Sequence, residues 1–324
     1  MLSALLSFVG NKTFSEVKSQ MEILNITTVE DGDLYMLSFS DDSDMSEKIV
    51  RECNGVILQK ESNRIIHHCF DKTYESISDF PGEIPEFASK EIMPEGSIVR
   101  VYQFDGVWQV GTSRVINAAM SFWGSERSFK EIFYSHFNEW DQLEEGFCYT
   151  FILSHPEINP FVNKPAIHWV SKCDLVNMEE YRFEGEPYTG NPNDNYIIHF
   201  DNIRIKVLSE SFIKRQELMG NHSCEVYAYI DAIKSGNGEE FRNLHVFDTS
   251  SIDNCIDLTV KIIHLLYIEK NINKTQVKPA QQYIDILYKL HGDYIATKNQ
   301  VTLDTVHSKI FSFDLKKIRY IIGI

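Results

Sequence analysis

A chain of 324 residues with 43% hydrophobic and 24% charged residues fits one large or two modest domains, and 21 Phe, 15 Tyr and 4 Trp exclude a mainly disordered state. Its net charge of −16 argues against a protein that coats nucleic acid, while leaving room for a local basic cleft. No apolar run reaches the roughly 20 residues of a spanning helix. The start, MLSALLSFVGNK, has no basic region ahead of its apolar patch and reads as an amphipathic first element, not a secretory signal.

Phe14, Val17 and Met21 stand at helical spacing and predict a helix there. Short β-prone runs follow as far as residue 208: LYMLSF, NGVILQ, RIIHHCF, SIVRVYQF, VWQVGTSR, CYTFIL, AIHWVS, NYIIHF and IRIKVL, divided by Gly, Asp, Asn and Pro. In RIIHHCF the rings of His67 and His68 should point to opposite faces, one into the core and one to the surface. Residues 97–104 and 107–113 around Asp105-Gly106 predict a hairpin. Ser125 or Ser128 is the expected cap of an amphipathic helix over 128–137, with Phe129, Ile132, Phe133 and Phe137 on one face. Trp108, Trp123, Trp140 and Trp169 are expected in the core or as cleft walls.

His155-Pro156-Glu157 with Asn159 should close a strand and order the loop after it, and FEGEPYTGNPNDN (183–195) reads as a surface excursion. Beyond Lys206 the pattern turns helical: SESFIKRQELM, CEVYAYIDAIKSG, SIDNCIDLTVKIIHLLYIEKN and PAQQYIDILYKLHGDYIA. In the third, Ile256, Val260, Ile263 and Tyr267 share a face. The expected class is α+β: antiparallel sheets with helices over 1–215, then an all-helical region over 216–324. Six cysteines (53, 69, 148, 173, 224, 255) stand singly, without CxxC or zinc-ligand spacing, and read as reduced, mostly buried thiols.

Covalent nucleotidyl transfer needs an unprotonated lysine amine fixed by a strand or turn, a glycine that lets backbone approach the ligand, metal-holding carboxylates and late cations for the phosphates. Four segments line up in that order: RECNGVILQKESNRIIHHCFDKTYE, MPEGSIVRVYQFDGVWQVGTSR, GFCYTFILSHPEINPFV and NYIIHFDNIRIKVLSESF. Together they make residues 47–215 resemble the adenylyltransferase domain of bacteriophage T4-type RNA ligases, in the lysine-nucleotidyl transferase superfamily.

The resemblance implies an RNA-ligase-like, ATP-grasp-like nucleotidyltransferase domain, with ATP and Mg2+ as cofactors where nucleotide binding is kept. It carries Glu95 and Gly96 of the nucleophile motif, Arg114, and the closing pair Arg204 and Lys206 over as ligand-binding positions. The spacing of Arg100, Thr112 and Arg114 allows some of them to face a common cleft, and Arg204 and Lys206 share a face of one strand.

This sequence departs from the family at the reacting positions. Met93 stands where the family has its nucleophilic lysine, and a thioether forms no phosphoramidate. Lys90, the nearest lysine, falls on the opposite strand face. Asn54 replaces an arginine, Ile152 the metal-facing glutamate, and Asp194-Asn195 the glutamate-glycine of the penultimate motif. The expectation is a catalytically inactive protein acting as a binding or scaffolding subunit. Its partners would be other proteins through the helical region, or an RNA end or nucleotide in the vestigial cleft. Two alternatives stand beside it: a working RNA ligase whose lysine is replaced at Met93, and altered chemistry using Glu95 or Asp194 with a metal. EGSIVR, WQVGTSR, SFWGS and KVLSESFIKRQELMGN also resemble segments of ligase-derived proteins of large DNA viruses, which implies the cytoplasm, a viral factory or a virion.

Overall fold

The computed structural model describes residues 2–70, 73–159, 161–201, 203–222, 224–245 and 247–324. Asp71 and Lys72 of the first motif and Pro160 of the third lie outside the described residues. The class is α+β, and the chain divides into two units, Met1–Phe212 and Ile213–Ile324. The first unit holds 17 Lys and Arg against 34 Asp and Glu, the second 14 against 13, so the whole negative surplus belongs to the first.

The strands of the first unit are β1 (Ile26–Asp31), β2 (Leu34–Phe39), β3 (Asn54–Gln59), β4 (Ile65–His67), β5 (Thr73–Tyr74), β6 (Ser89–Ile92), β7 (Ser97–Phe104), β8 (Val107–Thr112), β9 (Phe147–Ser154), β10 (Ala166–Asp174), β11 (Glu180–Arg182), β12 (Tyr196–Phe200) and β13 (Ile203–Val207). They form three sheets, ordered β1-β2-β3-β4, β11-β10-β9-β7-β8 and β5-β13-β12-β6. All pairings are antiparallel except β13 with β5. The β7–β8 hairpin turns on Asp105 and Gly106, both at positive φ (51° and 75°), as a two-residue primed turn demands.

Why β2 reads LYMLSF without alternation is clear from what lies on each side. Tyr35 and Leu37 pack with Val17, Met21, Leu2 and Leu5 from helices Ser3–Val9 and Phe14–Ile23 and their flank. Leu34 and Met36 pack the other way, with Ile57, Ile66, Tyr102, Cys148 and Cys173, against the second sheet. That sheet's far face, through Val99, Val101, Tyr149 and Phe151, holds helix Phe129–His136. The result is helices, sheet, sheet, helix, with packed side chains between the two sheets.

This layering corrects the expectation for the histidine pair. His67 and His68 are both buried (0% and 4% exposed), because β4 has no solvated face. His67 Nε2 meets the Tyr149 carbonyl at 3.2 Å, and His68 Nδ1 lies 3.8 Å from Cys173 Sγ. Trp123 is 45% exposed on the loop before helix Phe129–His136, whereas Trp108, Trp140 and Trp169 pack on the core beneath that helix. Ser128 is the cap, in a reciprocal pair with Glu131.

In the second unit Ile256, Val260, Ile263 and Tyr267 are all buried along helix Ser250–Tyr267, which meets helices Gln281–Thr297, Leu303–Phe311 and Leu315–Ile322. Among the described residues no helix is long and apolar enough to cross a membrane, and all six cysteines are free, four of them buried.

Candidate functional site

The first candidate position opens β3. Asn54 donates through Nδ2 to the Phe70 carbonyl at 3.0 Å. Gly55 follows at φ +67° and is the extra residue where the β2–β3 register shifts between Leu37 and Ser38. Its bare Cα faces the Arg100 guanidinium, and any Cβ there would collide with it. Arg100 points from β7 into the space between the sheets and is 1% exposed. It donates to the Asn54 carbonyl (3.0 Å) and the Thr112 carbonyl (2.9 Å), with Met36 Sδ at 3.3 Å. Among the described residues no carboxylate pairs with it. Burial, and then the Arg100 charge, hold His67 well below the usual histidine range, so its ring is neutral.

The nucleophile motif lies between β6 and β7. The Met93 amide donates to the Asn195 carbonyl at 2.9 Å, so Met93 and the Asp194-Asn195 pair are neighbours. Asn195 is itself fixed, its Oδ1 accepting from the Ser209 amide at 2.9 Å. The Asp194 carboxylate is turned to Asn191 at 3.0 Å. The Glu95 carbonyl accepts from the Ser154 hydroxyl. A Cβ on Gly96 would lie 2.5 Å from the Leu153 carbonyl and 2.7 Å from Ile152 Cγ2. The pairing of β7 with β9 thus brings Glu95 and Gly96 onto the end of β9, with Ile152 packed over the glycine. Lys90 offers no amine to this point; its Nζ lies over the Tyr196 ring at 5.9 Å.

The cations do not converge on one open cleft. Arg204, 5% exposed, donates to Glu180 at 2.7 Å, and its guanidinium lies 4.1 Å from the centre of the Phe70 ring. Lys206, on the same strand, pairs with Glu75 at 2.9 Å. Thr112 is buried and its hydroxyl accepts from the Arg114 amide at 3.2 Å, while Arg114 itself is exposed. Burial would raise the Glu180 carboxyl, but the charge and hydrogen bond of Arg204, with a hydrogen bond from Ser171, outweigh it and hold the carboxyl below its ordinary value. Glu180 and Phe70 were not singled out from sequence; nothing local marks a glutamate on a three-residue strand as the partner of Arg204.

A second unforeseen group is Cys148 with Cys173, direct cross-strand partners on β9 and β10. A hydrogen bond from Cys148, then His68, pulls the Cys173 thiol down to about 6. Among the described residues no group of three or more His, Cys, Asp or Glu could hold a metal ion.

No family model matches the chain. A stretch of 123 residues is 28% identical to a protein of Autographa californica nuclear polyhedrosis virus described as a bifunctional polynucleotide kinase/RNA ligase; it covers 34% of this chain and 17% of that relative. Among solved structures, a protein of Aquifex aeolicus described as an ATP-dependent DNA ligase gives a TM-score of 0.41 at 11% identity, over 87% of this chain and 80% of that one. An archaeal ATP-dependent RNA ligase gives 0.43 at 10% identity, over 75% and 76%.

Proposed function

We propose that this chain is an RNA-ligase-derived protein that has given up covalent nucleotidyl transfer and serves as a binding or scaffolding subunit in a viral assembly. The ligase-like motif order and the partial similarity to a viral polynucleotide kinase/RNA ligase support the ancestry. One juxtaposition carries the loss of chemistry: Met93 holds the nucleophile's place while Ile152 packs over Gly96 where a carboxylate would be needed. Neither a phosphoramidate nor a metal-assisted attack has its atoms there. The partner is protein, because Arg204 and Lys206 are already engaged by Glu180 and Glu75, and residues 1–212 carry a twofold excess of acid over base. The helical unit at 213–324, with balanced charge, is the docking element, and the assembly is placed in the cytoplasm of an infected cell or in the virion.

The test is incubation with labelled ATP or GTP and Mg2+, followed by denaturing electrophoresis. The expected result is no protein-bound label for the natural chain or for Met93→Lys, since restoring the amine leaves Ile152 in place. A lysine-linked adduct on the natural chain overturns the proposal. An adduct on Met93→Lys alone favours a ligase lacking only its lysine.

A further inference from the structure

Arg100, Asn54, Phe70 and Arg204 form an unbroken run of contacts. The Arg100 guanidinium covers Gly55 and donates to the Asn54 carbonyl; the Asn54 amide donates to the Phe70 carbonyl; the Phe70 ring lies under the Arg204 guanidinium, whose charge goes to Glu180. Two candidate positions from distant motifs, Asn54 and Arg204, therefore meet at Phe70, the first covered by Arg100 and the second held by Glu180. Three observations set Arg100 apart from an ordinary packing residue. It is buried without a carboxylate, and its Nε has no partner among the described residues, an arrangement that raises the cost of keeping a charge inside. It sits against a glycine at φ +67° in a register shift, the kind of bare backbone that admits a group closer than a Cβ would allow. It also draws acceptors from three strands, β2, β3 and β8, so its removal would free the space between the sheets on all three sides.

We propose that this cleft is self-occupied: the Arg100 guanidinium fills the space against Gly55 that a nucleotide would otherwise enter, and with Arg204 locked on Glu180 it bars small phosphorylated ligands from the fold. The inference rests on the ligase-derived reading given above, but concerns occupancy of the space and not loss of the reaction. Gly55 is retained for an internal cation, and the binding role of the protein moves to its outer surfaces.

The experiment is calorimetric titration of ATP and of inorganic pyrophosphate into the full chain, as the natural protein and as Arg100→Ala and Arg100→Met. The natural chain should show no saturable binding at millimolar ATP. Arg100→Ala, which empties the space, should show saturable ATP binding where the natural chain shows none. Arg100→Met refills the volume without charge and should stay closed. Folding is checked by near-ultraviolet circular dichroism. Should Arg100→Ala not fold, a cycle on Gly55 decides: Gly55→Ala should unfold or melt early in the natural background, and markedly less so beside Arg100→Met, whose flexible thioether can yield where the guanidinium cannot. Saturable ATP binding by the natural chain without a covalent adduct overturns self-occupancy and leaves the proposed function standing. A folded Arg100→Ala that takes no ATP, or a Gly55→Ala penalty indifferent to residue 100, overturns it as well.

Discussion

Of the polar and charged side chains buried among the described residues, fifteen lie in residues 1–212 and three, His245, Thr249 and Thr259, in residues 213–324. The buried charged residues, Glu52, Arg100 and Arg204, are all in the first unit. The helical unit keeps its ion pairs outside, as in Lys309 with Asp293 and Lys317 with Asp285, and closes on Ile256, Ile263, Leu290, Ile310 and Ile318. Hydrophobic burial specifies most of such an interior. The sheet unit is held instead by polar groups that must each find a particular partner, and a low dielectric makes each failure costly.

The sharpest way to break the contrast is Glu180→Ala, which leaves the Arg204 guanidinium buried and uncompensated. The expected loss is about 3–5 kcal/mol, confined to the sheet unit. All four tryptophans lie in residues 1–212, so tryptophan fluorescence in urea follows that unit, while the far-ultraviolet helical signal follows mainly the other. The fluorescence midpoint should fall and the helical one should not; equal shifts would mean that the two interiors do not behave separately. Ile263→Ala is the reverse experiment. At 0% exposure it should cost roughly 2–5 kcal/mol through lost burial and a residual cavity, moving the helical transition alone.

A smaller effect separates the units by pH. Burial, then Arg182 and Arg204, depress His199 from its ordinary 6.5 to about 3, so the folded state favours the neutral ring. A histidine depressed on folding stabilises fully above its unfolded pKa, and that contribution drains away as pH falls from 6.5 towards 3. His67 works in the same direction. The helical unit has its own buried case, His245, lowered to about 4 by burial and then Arg215. With His67, His155, His168 and His199 lowered by burial in the sheet unit against His245 alone among the described residues of the other, the sheet unit should lose stability more steeply between pH 6.5 and 4. Urea midpoints at a series of pH values, read by the two signals, measure the difference, and parallel curves would remove it.

How much of this the sequence disclosed follows the same division. The face of Ile256, Val260, Ile263 and Tyr267 was legible because helical burial repeats along the chain, and Ser128 with Glu131 because a capping box is local. Asp105-Gly106 was legible for the same reason. Helices Gly238–Leu244, Leu303–Phe311 and Leu315–Ile322 were missed, although Leu315, Ile318 and Ile322 stand at helical spacing in the last of them. The polar interior was not legible, since the alternation rule supposes one wet face, and β4 has none. Arg100 was noticed only as a cation near a cleft; that it lies inside, on Gly55, depends on β2, β3 and β8 arriving from elsewhere in the chain. Arg204 likewise gave no sign of Glu180, 24 residues earlier.

Gly96 has a wider consequence. Its hydrogen is all that fits between the backbone there and the Leu153 carbonyl, so a side chain would have to wedge β7 away from β9. Geometry alone therefore calls for a glycine at this position, whatever ligand the chain handles. The glycine is a record of how tightly two strands lie together.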